Sequence, residues 1–388
     1  MTDDKTFVIV GGGLTGAKAA ATLREEGFGG RVVLVAEEDR LPYERPPLSK
    51  SYLAGESPFA DAQVHDEAFY RDNDVELLRG TSATALDTGA RTLSLSKGDA
   101  LTYDRLLIAT GAVPRRPPID GADGPGVLTL RSVGDADAIK AAVSGGGRLV
   151  IIGAGWIGCE VAASARGLGA EVTVVEQAGT PLEAVLGPKL GAFFAELHRE
   201  HGVELRMGVA VEKIGDGGLV VGGETVAADA VLLATGVAPA AALAEAAGLE
   251  IGDGILVDGL LRTSADAVYA AGDVANTLHP RYGRIRVEHW DNAIAQGEAA
   301  ARSMLDKGEP YAKLPYFFTD QYDLGMEYVG RHEASDELTI RGSLEERNFR
   351  AYWSAPDGHV TAAMHVNDWD AIGPMRELVE AGGALPEE

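Results

Sequence analysis

The sequence is poor in cysteine and in positive charge, and it lacks any long uninterrupted apolar run. One cysteine, Cys159, stands among 388 residues. A single thiol excludes an intramolecular disulfide, a Cys-x-x-Cys redox pair, a thiolate-held iron–sulfur cluster and a cysteine-type zinc site. It fits a reducing, cytoplasmic setting. Lys and Arg number 34 against 59 Asp and Glu, for a formal net charge of −25 at pH 7. The basic surface needed for non-specific nucleic-acid or anionic-membrane binding is therefore missing. The longest apolar stretch, around Ala227–Ala247, is interrupted by Asp229, Pro239 and Glu245, too often for a membrane span. The start, MTDDKTFVIVGGG, is acidic and enters a glycine loop at once. It is read as carrying no targeting segment, since a signal peptide needs a basic start and a longer apolar run. Proline is limited to 17 residues while glycine reaches 50. Without a Gly-X-Y period, that excess denotes glycine-rich turns and not collagen.

What remains is ordinary globular composition, 46% apolar and 24% charged, in a chain long enough for roughly two to three domains and a sizeable core. The chain repeats itself. Phe7–Val10 runs into Gly11-Gly12-Gly13-Leu14-Thr15-Gly16, and Leu149–Ile152 runs into Gly153-Ala154-Gly155-Trp156-Ile157-Gly158. Each loop leads into an alanine-rich helical stretch (Ala17–Glu26, Cys159–Leu168) and then a β-branched run (Arg31–Ala36, Glu171–Val175). Strand, glycine turn, helix and strand make one βαβ unit, so two are expected. LLIATG, ending in Ala109, Thr110 and Gly111, is echoed by LLATG, ending in Thr235 and Gly236. Such continuous apolar runs suit strands buried on both faces of a parallel sheet. VYAAGDVA (Val268–Ala275) reads as another buried strand ending at Gly272-Asp273.

The expected fold is α/β: two interleaved Rossmann-like dinucleotide-binding domains plus a C-terminal α+β domain. The proposed boundaries are 1–112 with 236–311, then 113–235, then 312–388, where aromatic residues and shorter alternating strands such as LTIRGSL and FRAYWSA set in.

In each glycine loop the first glycine makes the turn, the second clears space for a pyrophosphate, and the third lets the helix pack on its strand. The helix N-terminus attracts the phosphate charge. Glu37 and Glu176, 21 and 18 residues beyond the third glycines, are placed to accept ribose hydroxyls. Two such sites imply two cofactors, or a cofactor and a nucleotide substrate. FAD with NAD(P)H is the economical pairing, because a flavin takes hydride from nicotinamide. Glu176, followed by Gln177-Ala178-Gly179-Thr180-Pro181 without Arg or Lys, favours the free 2′-hydroxyl of NADH.

The order of motifs resembles the FAD-dependent pyridine-nucleotide oxidoreductases of the ferredoxin/rubredoxin reductase type, putidaredoxin-reductase-like. It is carried along nearly the whole chain by GGGLTG, YERPPLSK, LLIATG, LRSVGDA, GAGWIGCE, LLATGVAP, AAGDVA, RVEHWDNAIAQG and PYFFTDQYDLG. The resemblance implies an FAD site formed by Gly11, Gly13, Leu14, Thr15, Gly16, Glu37, Arg45, Lys50, Ala83, Ala109, Thr110, Gly111, Arg131, Gly272, Asp273, Glu288, His289 and Trp290. Lys50 would lie by the flavin's reactive edge, Ala83 and Arg131 by the adenosine side, and Asp273 by the ribityl chain. A helix over Asn292–Leu305 would aim its N-terminus at the flavin N1–C2 region. The implied NADH site comprises Gly153, Gly155, Trp156, Ile157, Gly158, Glu160, Glu176, Thr235 and Gly236. Glu160 and Glu288 would hold the nicotinamide carboxamide, and Trp156 would stack at the flavin face. Lys50, Glu160, Glu288 and Trp156 are thus the residues expected at the chemistry. No metal site is expected.

Plainer roles stand beside these. Lys50 could be a solvated surface lysine, Arg131 an ion-pair partner, Glu160 or Glu288 a buried structural carboxylate, and Trp156 or His289 core residues. Relatives place tryptophans where this chain has Tyr316, Phe317 and Phe318, which leaves open the acceptor that docks there. Family members that reduce thiols carry a cysteine near the ERPPLSK segment. This chain has none, and Cys159 reads as a small buried hydrophobe.

The implied activity is reduction of FAD by NADH, then single-electron delivery to a ferredoxin-type [2Fe-2S] protein, feeding an oxygenase. The alternatives are an NADH oxidase or quinone reductase, and a non-enzymatic flavoprotein of the apoptosis-inducing-factor kind. Arg281, Arg284, Arg286, Arg115 and Arg116 are candidate docking cations for an acidic carrier. The protein is expected to be a cytoplasmic monomer or homodimer without nucleic-acid or membrane partners.

Overall fold

The computed structural model describes residues 4–385. Among them the chain forms two compact units and passes between them several times.

The first unit contains the described residues up to Glu44, then Ala62–Val113 and Ala238–Tyr316. Its centre is a five-stranded parallel sheet in the order Val268–Ala270, Arg105–Ile108, Thr6–Val10, Arg31–Val35, Val75–Leu78. Val8, Ile9, Val33, Leu34, Leu106 and Leu107 are wholly buried, as both faces of a parallel sheet require. Each such side chain contributes about 1.5–3 kcal/mol by leaving water. Helices Leu14–Glu25 and Trp290–Met304 pack on one another. Gly297 makes this possible, since a Cβ there would stand 2.5 Å from the carbonyl oxygen of Thr15. An antiparallel ribbon of Ala83–Asp87, Thr92–Leu95 and Leu101–Thr102 belongs to the same unit.

The second unit contains Arg45–Asp61, Pro114–Val237 and the described residues from Phe317 on. It repeats the pattern, with parallel strands in the order Glu204–Met207, Glu171–Glu176, Arg148–Ile152, Ala230–Leu233, Val127–Leu128. An antiparallel ribbon of Val211–Gly215, Gly218–Val221 and Glu224–Ala227 goes with it. The C-terminal sheet is ordered Tyr316–Gln321, Leu324–Gly330, Val360–Val366, Asn348–Ser354, Glu337–Ser343, with its register antiparallel from the second strand on and helix Ile372–Ala381 against it. Helix Glu183–Glu200 buries Leu186, Leu190, Phe194 and Leu197 in one cluster with Phe317, Leu324 and Met326. Segment Arg45–Asp61 is anchored by Leu53, which joins the core of Ile139 and Val161, and by Tyr52, whose hydroxyl donates to Asp137 at 2.6 Å.

The α/β expectation holds, with paired parallel sheets and an α+β C-terminal portion. Several local expectations are corrected. Val268–Ala275 is not one strand. It stops at Ala270, and Gly272–Val274 forms a 3₁₀ turn opened by a left-handed Gly272 (φ 77°). The helix expected over Asn292–Leu305 is Trp290–Met304, so Trp290 is its first residue and His289 its N-cap. The two loop helices begin earlier than their alanine-rich stretches, at Leu14 and Trp156, inside the glycine motifs. Glu37 does not close its strand, which ends at Val35, whereas Glu176 is the last residue of its own.

Candidate functional site

Both glycine loops have the same internal geometry. Gly11 and Gly153 are left-handed, with φ 124° and 107°, and a Cβ on either would lie 2.2 or 2.4 Å from the carbonyl oxygen of Ala109 or Ala234. The third glycines, Gly16 and Gly158, close against the first, where a Cβ would stand 2.1 Å from the oxygen of Gly11 or Gly153. The middle glycines differ in kind: a Cβ on Gly13 or Gly155 would meet nothing within 4 Å. Packing thus demands the outer glycines, and the inner one is kept bare in front of open space.

The helices behind these loops are uncapped. Gly13 and Gly155 are their N-caps, no side chain accepts from the first turn, and no acid lies in that turn. Helix Val133–Val143 differs, with Ser132 and Asp135 in a reciprocal capping box. Leu14, Thr15 and Gly16, like Trp156, Ile157 and Gly158, therefore begin helices whose amide groups are left for an anionic ligand. These residues fit the pyrophosphates of two dinucleotides.

Around the first loop, Thr15 meets Gly272, where a Cβ would be 2.4 Å from Thr15 Oγ1. Gln296, buried on the helix that starts at Trp290, accepts from the Gly272 amide at 2.8 Å and donates to Thr277 at 2.9 Å. It fixes the turn that carries Asp273. Burial pushes the His289 imidazole down to about 4, against the opposing pull of Asp273 and Asp291. Ser82, beside Ala83, donates to Glu37 at 3.3 Å. Thr110 donates to Ala240 O at 2.8 Å, and Gly111 O accepts from Ala240 N at 2.9 Å. In the second unit, Thr235 donates to Arg115 O at 3.0 Å and Gly236 O accepts from Arg115 N at 2.9 Å. Glu288 pairs with Arg286, which also holds Asp253 at 3.1 Å.

The second unit holds a polar constellation centred on Glu160. Glu160, only 4% exposed, accepts from Lys50 Nζ at 2.7 Å, from Ser49 Oγ at 2.5 Å and from Thr319 Oγ1 at 2.7 Å. Lys50 is therefore no solvated surface lysine, and its ammonium also stands 5.4 Å from the centre of the Phe318 ring. Burial raises the carboxyl of neighbouring Asp320; Lys50 opposes this, while Glu160 and Glu327 add to it. Trp156 packs on Phe317 at 4.6 Å and edge-on to Phe194 at 6.1 Å. Arg45 donates to the carbonyl of Arg131. Glu176 accepts from the amides of Ala154 and Ala178 at 2.8 and 2.9 Å, which fixes its carboxylate beside the second loop.

Docking cations fare less well. Arg284 donates to the carbonyls of Val257 and Asn276, and Arg286 is spent on Asp253 and Glu288. Ser49, Thr319, Gln321 and Gln296 lie within the quoted motifs without a role assigned to them, and His198 lies outside every motif. Thr319 and Gln321 alternate along one strand face, a period-two signal. His198 has no comparable signature.

A family model described as pyridine nucleotide-disulphide oxidoreductase matches residues 5–297, and one described as reductase C-terminal matches residues 316–388. The chain belongs to the pyridine nucleotide-disulphide oxidoreductase family. Membership makes it an oxidoreductase that works with FAD and NAD(H). This oxidoreductase is 37% identical to the ferredoxin–NAD(+) reductase component of an anthranilate 1,2-dioxygenase system from Burkholderia cepacia, over 98% of this chain and 95% of that one. It superposes on the crystal structure of the ferredoxin reductase of the CYP199A2 system from Rhodopseudomonas palustris with a TM-score of 0.95, at 33% identity, covering 98% and 96% of the two chains. The reductase of a covalent putidaredoxin reductase–putidaredoxin complex gives 0.93 and 33%, covering 97% and 93%. Within its family this oxidoreductase lacks the means for internal dithiol chemistry. Cys159 is its one cysteine, it is 2% exposed, and burial pushes its thiol far up. Among the described residues no helix is long and apolar enough to cross a membrane, and no cluster of His, Cys, Asp or Glu could hold a metal ion.

Proposed function

We propose that the protein is an NADH-dependent ferredoxin reductase that delivers electrons to a [2Fe-2S] carrier serving an oxygenase in the cytoplasm. The observation that carries this reading is the doubled, uncapped glycine cradle in a chain whose only thiol is buried. FAD, when bound, accepts hydride and gives up its electrons one at a time. With no internal dithiol to receive them, those electrons must leave to an external acceptor.

The chain's own residues bind and orient. Gly11, Gly13 and Gly16, with the first turn from Leu14, cradle the FAD pyrophosphate; Gly153, Gly155 and Gly158, with the turn from Trp156, do the same for NADH. Glu37 and Glu176 accept from ribose hydroxyls. Arg45 reaches the FAD, Arg131 lies on its adenosine side, and Asp273 and the helix from Trp290 hold the flavin's chain and ring. Lys50 supplies a positive charge to the reduced flavin. Glu160 and Glu288 accept from the carboxamide of nicotinamide. Fixing the reacting atoms at near-attack distance accounts for most of the rate. On this reading residues 1–112 with 236–311 bind FAD, 113–235 bind NADH, and 312–388 form the C-terminal domain.

Stopped-flow reduction by NADH, followed by reoxidation with iron–sulfur proteins, quinone and oxygen, tests the reading. Fast reoxidation by a [2Fe-2S] protein, slowed by added salt as charge steering requires, is expected. Faster reoxidation by oxygen or quinone than by every iron–sulfur protein would overturn it.

A further inference from the structure

A row of side chains in the second unit runs outward from Glu160. Thr319 Oγ1 is 2.7 Å from Glu160 Oε1, Gln321 Nε2 is 3.3 Å from Thr319 Oγ1, His198 Nε2 is 3.0 Å from Gln321 Oε1, and His198 Nδ1 is 3.0 Å from the Tyr322 hydroxyl. Thr319, Gln321 and His198 are all buried, and Tyr322 is half-buried, stacked on His201 at 3.6 Å.

The direction of every hydrogen bond in this row is forced. The Glu160 carboxylate, paired with Lys50, only accepts, so the Thr319 hydroxyl must donate to it. Thr319 Oγ1 then accepts from the Gln321 amide nitrogen. That turns the Gln321 oxygen toward His198, which must donate from Nε2–H. His198 Nδ1 is left as an acceptor for the Tyr322 hydroxyl. A gap or reversal anywhere would leave a buried polar atom unpaired, at a cost of about 1–3 kcal/mol.

We propose that Thr319, Gln321 and His198 are positioning residues that lock the orientation of the Glu160 carboxylate through one-way hydrogen bonding, with His198 held as the neutral Nε2–H tautomer. Lys50 and Ser49 grip one carboxylate oxygen, and the row grips the other, so the carboxylate plane has no freedom to turn. The charged and titratable groups around the row are Lys50 from the segment before helix Ser51–Ala54, Cys159 on the Glu160 helix, Asp320 from strand Tyr316–Gln321, and His198 from helix Glu183–Glu200, which His201 and Tyr322 face in turn. Burial pushes the His198 imidazole down to about 4, which keeps it neutral at working pH. The row conducts no proton, because the amide of Gln321 interrupts it.

This rests on the assignment of Glu160 to the nicotinamide carboxamide, and the two are separable by experiment. The first measurement is the ¹⁵N signature of the His198 ring in the FAD-loaded enzyme, assigned by its loss in His198→Gln. The Nε2–H tautomer is expected from pH 8 down to pH 5; the Nδ1–H tautomer, a mixture, or a protonated ring would overturn the proposal. The second is NADH reduction with hydride and with deuteride at C4. Thr319→Val is expected to slow the isotope-sensitive step by about ten- to a hundredfold, and Thr319→Ser to restore it. Tyr322→Phe keeps the ring stack, so it should fold, and is expected to give a smaller loss with a weakened tautomer preference. Slowing by Thr319→Val and Thr319→Ser alike, or slowing confined to a step that shows no isotope effect, would reduce the row to a structural role. If Glu160→Gln leaves NADH reduction unchanged while the tautomer is as expected, the carboxamide assignment fails and the hydrogen-bond order stands.

Discussion

Lys50 Nζ lies 2.7 Å from Glu160 Oε2, and the two side chains keep 14% and 4% of their exposure. They are 110 positions apart in the chain. A buried ion pair is weak support for stability, because desolvation consumes most of its Coulomb attraction, but breaking it from one side leaves an uncompensated charge.

Lys50→Met is therefore expected to destabilise the second unit by about 2–3 kcal/mol, somewhat below the usual range for broken buried pairs because Ser49 and Thr319 still donate to the stranded carboxylate. Adding Glu160→Leu should recover much of that loss. Urea unfolding of the wild type, both single variants and the double variant measures the coupling. A double variant as unstable as the two single losses combined would contradict it.

The glycine loops make a paired prediction. Gly155→Ala places a Cβ where the structure has no contact within 4 Å, so the chain should fold normally and lose NADH affinity by tenfold or more, on the order of one lost phosphate contact. Gly158→Ala puts a Cβ 2.1 Å from the Gly153 oxygen and should instead unfold or distort the unit. Circular dichroism and NADH titration separate the two outcomes.

On the proposed reading Glu176 sets the choice between nicotinamide cofactors. Its carboxylate is held by the amides of Ala154 and Ala178, where it would meet a 2′-phosphate with like charge. Glu176→Ala combined with Gln177→Arg is expected to move the kcat/KM ratio toward NADPH by about tenfold or more. An unchanged ratio would remove Glu176 from the ribose site.

Stability should fall on mild acidification. Burial lowers both His198 and His289 to about 4, below the ordinary value near 6.5. Between those limits the unfolded chain takes up protons that the folded chain refuses. Their stabilising effect is thus complete above about pH 6.5 and declines as pH drops through the window, by roughly 3 kcal/mol for each ring. The urea midpoint against pH shows this slope, and His198→Gln should flatten its share.

The parts most legible in the sequence are those where local geometry dictates residue type. The outer cradle glycines could be placed because contacts within the βαβ unit compel them, and the inner ones face open space. Strand and helix edges slipped where glycine changed its meaning. In Val268–Ala275 an apolar run looks continuous, yet left-handed Gly272 ends the strand. The partners of Lys50 were hidden for another reason. Ser49, Glu160 and Thr319 come from three distant stretches, and nothing in the spacing of any one announces the others. His198 reads as an ordinary helix residue until its ring is seen pointing inward. Arg284 and Arg286 looked like surface charge, but carbonyl and carboxylate partners contributed by neighbouring strands and loops absorb them.

The burial of Cys159 has a practical use. Because that sulfur is sealed from reagents and disfavoured as a thiolate, the native chain offers no handle for maleimide dyes or disulfide tethers. Any cysteine engineered onto an outer face becomes the molecule's sole addressable point. Fluorophores, spin labels or a covalently linked carrier could then be mounted one position at a time, without first stripping the protein of its own thiol.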